Sequence, residues 1–381
     1  MVYGAAVRAL VITWAPGGNL PPMVAAAGLL AARGHDVEVL GSAATHAVFD
    51  AGGFAVHPYR RAPEPLTKVA FEAQAESILG IAAGAEIALD VRDLVADEHY
   101  DLAVVDCMLP AAVSAVRASG IPVAALVHFL YGPVRQQLLA GGGWTTDLAT
   151  LAATHRKLGL APALDGLVAW ESSELLLVTA PRWFDLGLDY PANVVHAGPL
   201  GVRTRTHRQR TRVLLSFSTT VMDGQRQLAQ RVCDAVAATG VEAVLTLTLG
   251  PALDTAPLRL ASNIELLPFA DHDELLSGCT AVVTHGGLGT TLRAIAHGVP
   301  LLLLPLGRDQ GLNAERATRL GVGTKISAGA TPPEIGAALT SLLADPRIAA
   351  AAARLAERIA AAAPDAVAAK AFEQIALTRR G

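Results

Sequence analysis

The sequence predicts an α/β protein of two domains, each a doubly wound parallel sheet, and three observations predict it. Apolar runs of strand length alternate with helical stretches, the pattern of β-α-β units rather than of hairpins. The alternation begins afresh at Arg212, after a polar, arginine-rich stretch over residues 202–210 that reads as a solvated linker. The 381 residues suit two domains of ordinary size, and 52% hydrophobic residues suffice for two cores.

Composition narrows the function classes. Aromatic residues make up only 4%, so Ala, Leu and Val must build the cores. A net charge of −4 gives no electrostatic case for nucleic acid. Cys107, Cys233 and Cys279 are widely spaced in apolar sequence, as free core thiols are, and form neither a disulfide framework nor a CxxC metal site. Mean hydropathy is high at +0.40, yet the longest apolar runs, such as residues 299–306, are of strand length and bounded by Gly and Pro. No stable membrane insertion is expected, and with no basic n-region and signal core at the start the expected location is cytoplasmic.

In the first half, residues 7–14 form the opening strand and residues 15–22 a loop. A helix follows to Arg33, with Gly34 as its stop, and residues 36–41 return as a strand. Residues 45–97 read as helix-rich and less regular, with a loop over 58–65. Then come a strand over 102–105 ending at Asp106, a helix over 110–119, and a strand over 122–127 ending at His128. A strand over 174–179 and the segment over 194–199 close the first domain. In the second half, a strand over 212–217 leads through a loop into a helix to Thr239, with strands over 243–247 and 264–267. A buried strand over 281–284 runs into a glycine turn and a helix ending at Gly298; a strand over 299–304 then meets a polar loop and another helix. Gly321 stops that helix, Thr331 caps the next, and an Ala-rich helix over 348–363 is interrupted at Pro364 before the last, over 365–378. The expected divisions are 1–201, a linker 202–211, 212–363, and a C-terminal helix 364–381.

Two loops of the second half fall beyond the carboxyl ends of strands, where doubly wound sheets bind ligands. In the first, Gly286, Gly287 and Gly289 let a ligand approach the backbone, the first helical turn offers N–H groups, and Thr290 adds a hydroxyl. That chemistry suits a diphosphate. His285 either donates to a phosphate oxygen or stays neutral and polarises a leaving group. The turn also fits a plain tight strand-to-helix connection, and it is no dinucleotide fingerprint, because Leu292 stands where the third glycine would. In the second loop Asp309 is unsuited to phosphate, and with Gln310 it suits the paired hydroxyls of a sugar. A diphosphate at one loop and hydroxyls at the next describe a nucleotide-sugar. In the first half His128 fits either a packed residue or a base, and it shares its carboxyl edge with Asn19 and Asp106. Phe129, Tyr131 and Trp144 lie near it in sequence.

The string from His285 through the glycines, Thr290, Gly298, Val299 and Pro300 to Asp309 and Gln310 resembles, in order and spacing, a known donor-binding signature. It is that of the glycosyltransferase family of plant secondary metabolism and of bacterial enzymes that decorate macrolides, enediynes and glycopeptides. The resemblance implies a GT-B fold of two facing Rossmann-like domains, the acceptor held by the first and the nucleotide-sugar by the second, with the last helix packing back on the first. It implies inverting transfer from a dTDP- or UDP-sugar, a co-substrate rather than a cofactor, to a hydrophobic natural-product acceptor. No metal site is expected, because no Asp-x-Asp cluster is placed to chelate one; the helix N-terminus, His285 and hydroxyls would stabilise the leaving diphosphate. A homodimer is compatible with this reading. Its rivals are a non-catalytic auxiliary homologue and a nucleotide-sugar epimerase of the same fold.

The resemblance also assigns positions. Ser218 takes the place of a small hydroxyl residue that reaches the diphosphate, and Phe269 and Ala270 fall where the family contacts the nucleotide base, Phe269 with less stacking surface than the usual tryptophan. In the loop after the first strand the family commonly carries a histidine three residues before a proline, and that histidine is the general base. Here Asn19 stands three before Pro22, and asparagine has no titratable nitrogen. Asn19 is left to orient the acceptor or a water, or to serve the turn and cap of the following helix. Asp106 takes the place of the aspartate that pairs with the missing histidine; otherwise it fits a strand-end carboxylate capping the next helix. Asp106 is therefore the first expected substitute base, and His128 the second.

Overall fold

The computed structural model describes residues 6–14, 17–66, 77–78, 80–140, 148–160, 166–187, 189–204, 212–218, 222–246, 258–267 and 270–377. The chain divides into two compact units, one holding the described residues through Gly201 and those from Ala363 on, the other Val202–Ala362. Each is a parallel sheet with helices between its strands, as the sequence predicts.

In the first unit the strands are β1 (Arg8–Ile12), β2 (Asp36–Gly41), β3 (Ala55–Pro58), β4 (Leu102–Asp106), β5 (Val123–Val127), β6 (Leu175–Val178) and β7 (Val194–His196). They lie in the order β3-β2-β1-β4-β5-β6-β7. The central β4, β5 and β6 are buried at every residue. Strands covered by helices on both faces show no alternation, which is why they read as unbroken apolar runs. The helices are α1 (Leu20–Ala32), α2 (Ala43–Ala51), α3 (Ala85–Asp97), α4 (Pro110–Ala118), α5 (Tyr131–Leu139), α6 (Leu148–Lys157), α7 (Gly166–Glu171) and α8 (Arg182–Asp185). Pro21, Pro22 and Pro110 sit in first turns, where a missing N–H costs nothing.

The second unit repeats the plan with β8 (Arg212–Ser216), β9 (Ala243–Thr246), β10 (Ile264–Leu267), β11 (Cys279–Thr284), β12 (Leu301–Leu303) and β13 (Gly323–Lys325), ordered β10-β9-β8-β11-β12-β13. Its helices are α9 (Gln225–Thr239), α10 (His272–Leu276), α11 (Leu288–Ala296), α12 (Gln310–Arg319), α13 (Pro332–Ala344) and α14 (Pro346–Ala362). Thr331 caps α13 in a capping box completed by Glu334. The last helix, α15 (Pro364–Leu377), lies in the first unit, its Ala368, Ala371 and Phe372 in one core with Met23, Ala27 and Leu30 of α1. Asp365 accepts from the Gly201 amide at 2.9 Å.

Two strands have no counterpart in the sequence expectation, β3 and β13. Both are sheet edges, short and unevenly buried, so neither presents an apolar run. Among the described residues no helix is long and apolar enough to cross a membrane.

In both sheets the strand order reverses direction once, between β1 and β4 and between β8 and β11. The loops leaving those strands at their carboxyl ends flank the crevice where such sheets take ligands. Register puts the ends level: Ile12 pairs with Val105 and Ser216 with Thr284. Asn19 and Asp106 thus follow one switch point, and Ser218 and His285 the other.

Candidate functional site

In the second unit, β11 delivers His285 to the sheet edge, 6% exposed. Its Nδ1 lies 3.3 Å from Thr284 Oγ1 and 3.5 Å from the Ser216 carbonyl across the switch point. Burial, aided by the nearby Arg308 charge and only partly opposed by the Ser216 carbonyl, pushes this imidazole down to about 4. His285 is therefore neutral at pH 7.

The glycines around it are a geometric necessity. Gly286 has φ +90°, and a Cβ there would stand 3.2 Å from the Gln310 carbonyl of the second loop. A Cβ on Gly287 would lie 2.8 Å from His285 Nε2, so the imidazole covers the start of α11 only because that residue is bare. Gly287 is the N-cap of α11 and makes no side-chain cap, leaving the first N–H groups to whatever binds there. Gly289 is exposed and Thr290 half-buried in that first turn.

The second loop follows β12. Arg308 adopts φ +54°, a strained backbone for a side chain other than glycine, and exposes itself beside Asp309. Asp309 heads α12 half-buried, its Oδ2 accepting from Asn313 Nδ2 at 3.0 Å. The same Asn313 nitrogen donates to the Gly286 carbonyl at 3.0 Å. Asn313, fully buried, thus ties both loops together, and the sequence reading missed it. Its only signal was its place one turn beyond Asp309.

Gln310, expected beside Asp309 at sugar hydroxyls, has its amide turned into the loop. Its Oε1 accepts from Leu306 N at 2.8 Å and Gly307 N at 3.2 Å, and its Nε2 donates to Met222 Sδ at 2.9 Å. Ser218 is half-buried just beyond β8, its carbonyl accepting from Gln225 Nε2 at 2.9 Å. Ala270 is half-buried just ahead of Asp271, which caps α10. Phe269 and Trp144 lie outside the described residues.

In the first unit the three expected catalytic residues meet. Asp106 is wholly buried. Its Oδ2 accepts from Asn19 Nδ2 at 2.9 Å; its Oδ1 accepts from Met108 N at 2.9 Å and lies 3.0 Å from His128 Nε2. A buried carboxylate needs such partners to remain charged. Asn19 occupies the N-cap position of α1 but makes no side-chain cap, having spent its amide on Asp106. Asp106 in turn does not cap α4, whose N-cap is Leu109.

His128 is the outer member of the group, its side chain 15% exposed. Burial disfavours its imidazolium, but the Cys107 sulfur and the Asp106 carboxylate against the ring outweigh that and hold His128 well above its ordinary value. The Cys107 thiol is pushed up by burial. Trp170 Nε1 donates to the Cys107 carbonyl at 2.5 Å, pinning the turn that carries Asp106. Cys107 reads in the sequence as a core thiol, and no local pattern pairs it with Trp170. Trp170 and Phe184 are buried core residues.

Comparison with known proteins finds relatives in sequence and in fold. Residues 230–374 match the family model described as "Erythromycin biosynthesis protein CIII-like, C-terminal domain". Over 342 residues the chain is 28% identical to the L-demethylnoviosyl transferase of Streptomyces niveus, covering 83% of this chain and 84% of that protein. Local identity elsewhere reaches 36%, but the first curated relatives are matched over only 23% to 38% of their own length. Among solved structures, the glycotransferase of kitacinnamycin superposes with a TM-score of 0.81 at 22% identity, covering 98% of this chain and 100% of that one. The glycosyltransferase VinC, solved in complex with dTDP, gives 0.71 at 22% identity with the same coverage. At that identity the likeness establishes the fold: two parallel-sheet α/β units of the GT-B type.

Proposed function

We propose, for a chain whose residues 230–374 match the CIII-like C-terminal domain, that it transfers a sugar from a nucleoside diphosphate, dTDP or UDP, to a hydrophobic small-molecule acceptor of natural-product type. The observation that carries this reading is the pairing of the two loops: a neutral His285 over the uncapped start of α11, with Asp309 fastened to the same glycine turn through Asn313. Anions are stabilised at helix N-termini by free N–H groups and the helix dipole, so the diphosphate belongs at Gly287, Gly289 and Thr290, with Ser218 across the switch point. A carboxylate would repel phosphate, so Asp309 takes sugar hydroxyls, and Gln310 holds its loop in place. Phe269 and Ala270 take the nucleotide base. The relatives' names and the dTDP bound to VinC support the substrate class.

The reaction is direct displacement at the anomeric carbon with inversion, and it needs no divalent metal, because helix N–H groups and hydroxyls neutralise the leaving diphosphate. The decisive experiment offers dTDP- and UDP-sugars with hydroxylated aromatic and polyketide-like acceptors, with and without a chelator. Sugar–acceptor conjugates of inverted configuration are expected in both arms; rescue of a chelated, inactive enzyme by Mg²⁺ alone would refute metal independence.

A further inference from the structure

Asp106 and His128 end the neighbouring strands β4 and β5, and their surroundings divide the labour between them. Asp106 has no exposed surface with which to meet an acceptor, and its oxygens hold Asn19, Met108 and His128. Asn19 has no titratable nitrogen. His128 is the one member of the group that combines a titratable nitrogen with exposed surface. Nε2 is turned to the carboxylate, Nδ1 is the second ring nitrogen, and the Cys107 thiol lies against the same ring. A buried carboxylate that fixes a histidine's tautomer and stabilises its imidazolium makes imidazole an effective base.

We propose that His128, oriented by Asp106, is the general base that takes the acceptor's proton, while Asn19 on the opposite side of the same carboxylate only holds it in place. The proposal rests on the glycosyl-transfer reading. As the acceptor oxygen forms its bond to the anomeric carbon, its proton passes to His128 Nδ1. The bond from that carbon to the diphosphate oxygen breaks, and its electron pair leaves with the nucleoside diphosphate. The imidazolium is held against Asp106 until the proton goes to water. Among the described residues the other titratable groups facing the pair are Cys107 and Tyr59, both raised by burial. The buried Asp106 carboxylate lies against the imidazole, and turnover rises with pH as His128 loses its proton, above the ordinary histidine range.

The test compares wild type, His128→Gln, and His128→Gln combined with Asn19→His, whose ring would reach the other oxygen of Asp106. His128→Gln should lower kcat on a hydroxyl acceptor about 10² to 10⁴-fold, the usual worth of a positioned base, and leave the nucleotide-sugar KM unchanged. Its rising pH limb should vanish, and the added Asn19→His should recover part of the lost rate, which no structural role of His128 would explain. Near-wild-type turnover in His128→Gln, or an intact pH limb, overturns the assignment. Should His128→Gln fail to fold, the wild-type profile still decides, because a rate flat through neutrality and above overturns it. A wild-type chain that consumes no nucleotide-sugar with any acceptor overturns the glycosyl-transfer reading itself; one that does, alongside an equally active His128→Gln, overturns only the base.

Discussion

Charge state decides what each histidine can do. His285, held down to about 4, is neutral throughout the physiological range and can polarise a leaving diphosphate without titrating. His285→Ala should lower kcat roughly 10² to 10³-fold, the worth of one donor aimed at developing charge. The wild type's dependence on His285 should show no pH limb until well into the acid range, which a pH–rate comparison of the two proteins would reveal. Asn313→Ala should raise the nucleotide-sugar KM and cost about 1 to 3 kcal/mol of stability by leaving the buried Gly286 carbonyl unpaired; a calorimetric melt beside steady-state kinetics measures both. His285, the glycines and Asp309 were legible in the sequence because one contiguous strand-turn-helix string carries them. Asn19, Asp106 and His128 were legible as residues of one carboxyl edge, Asp106 through the resemblance as the partner of the missing histidine. Their mutual bonds depend on how β1, β4 and β5 align, which no local pattern encodes. Asp106 reads as the first substitute base because it takes the place of the family's aspartate; its complete burial is visible only in the fold.

At the scale of elements, short α10 owes its place to one carboxylate. Asp273, buried, accepts from the Arg203 amide at 2.9 Å, from Arg293 of α11, and from His297 Nε2 at 2.9 Å. Despite burial, those bonds hold it down at about 2. A depressed carboxylate contributes stability above its unfolded value and loses it as pH falls through the folded one. Asp273 should therefore contribute roughly 2 kcal/mol at neutral pH that disappears between about pH 4 and pH 2. Asp273→Ala should cost about 3 to 5 kcal/mol, because it leaves Arg293 without its buried partner; denaturant titration at neutral pH checks it. Phe372→Ala in α15, emptying a fully buried site, should cost a similar 3 to 5 kcal/mol. The central strands were legible because helices cover both their faces. The edge strands β3 and β13 were not, because exposure mixes polar and apolar residues without a period. Helix starts slipped similarly: α14 begins at Pro346 rather than at residue 348, since proline in a first turn starts a helix as readily as it ends one.

For the whole molecule, the repeated strand order is what makes the reading coherent. Two sheets of like strand order each bring titratable groups to a switch point, one a buried aspartate and a partly exposed histidine, the other a neutral histidine over a helix start. A nucleotide-sugar that binds only the folded chain should raise its melting temperature, by about 2.7 kcal/mol of added stability at a hundredfold excess over Kd. The most direct test of the central claim is acceptor-dependent consumption of a nucleotide-sugar, followed by mass spectrometry of the products. Release of nucleoside diphosphate together with a conjugate heavier by one sugar is the predicted result; a chain that neither gains stability from any dTDP- or UDP-sugar nor transfers one to any hydroxylated acceptor would contradict it.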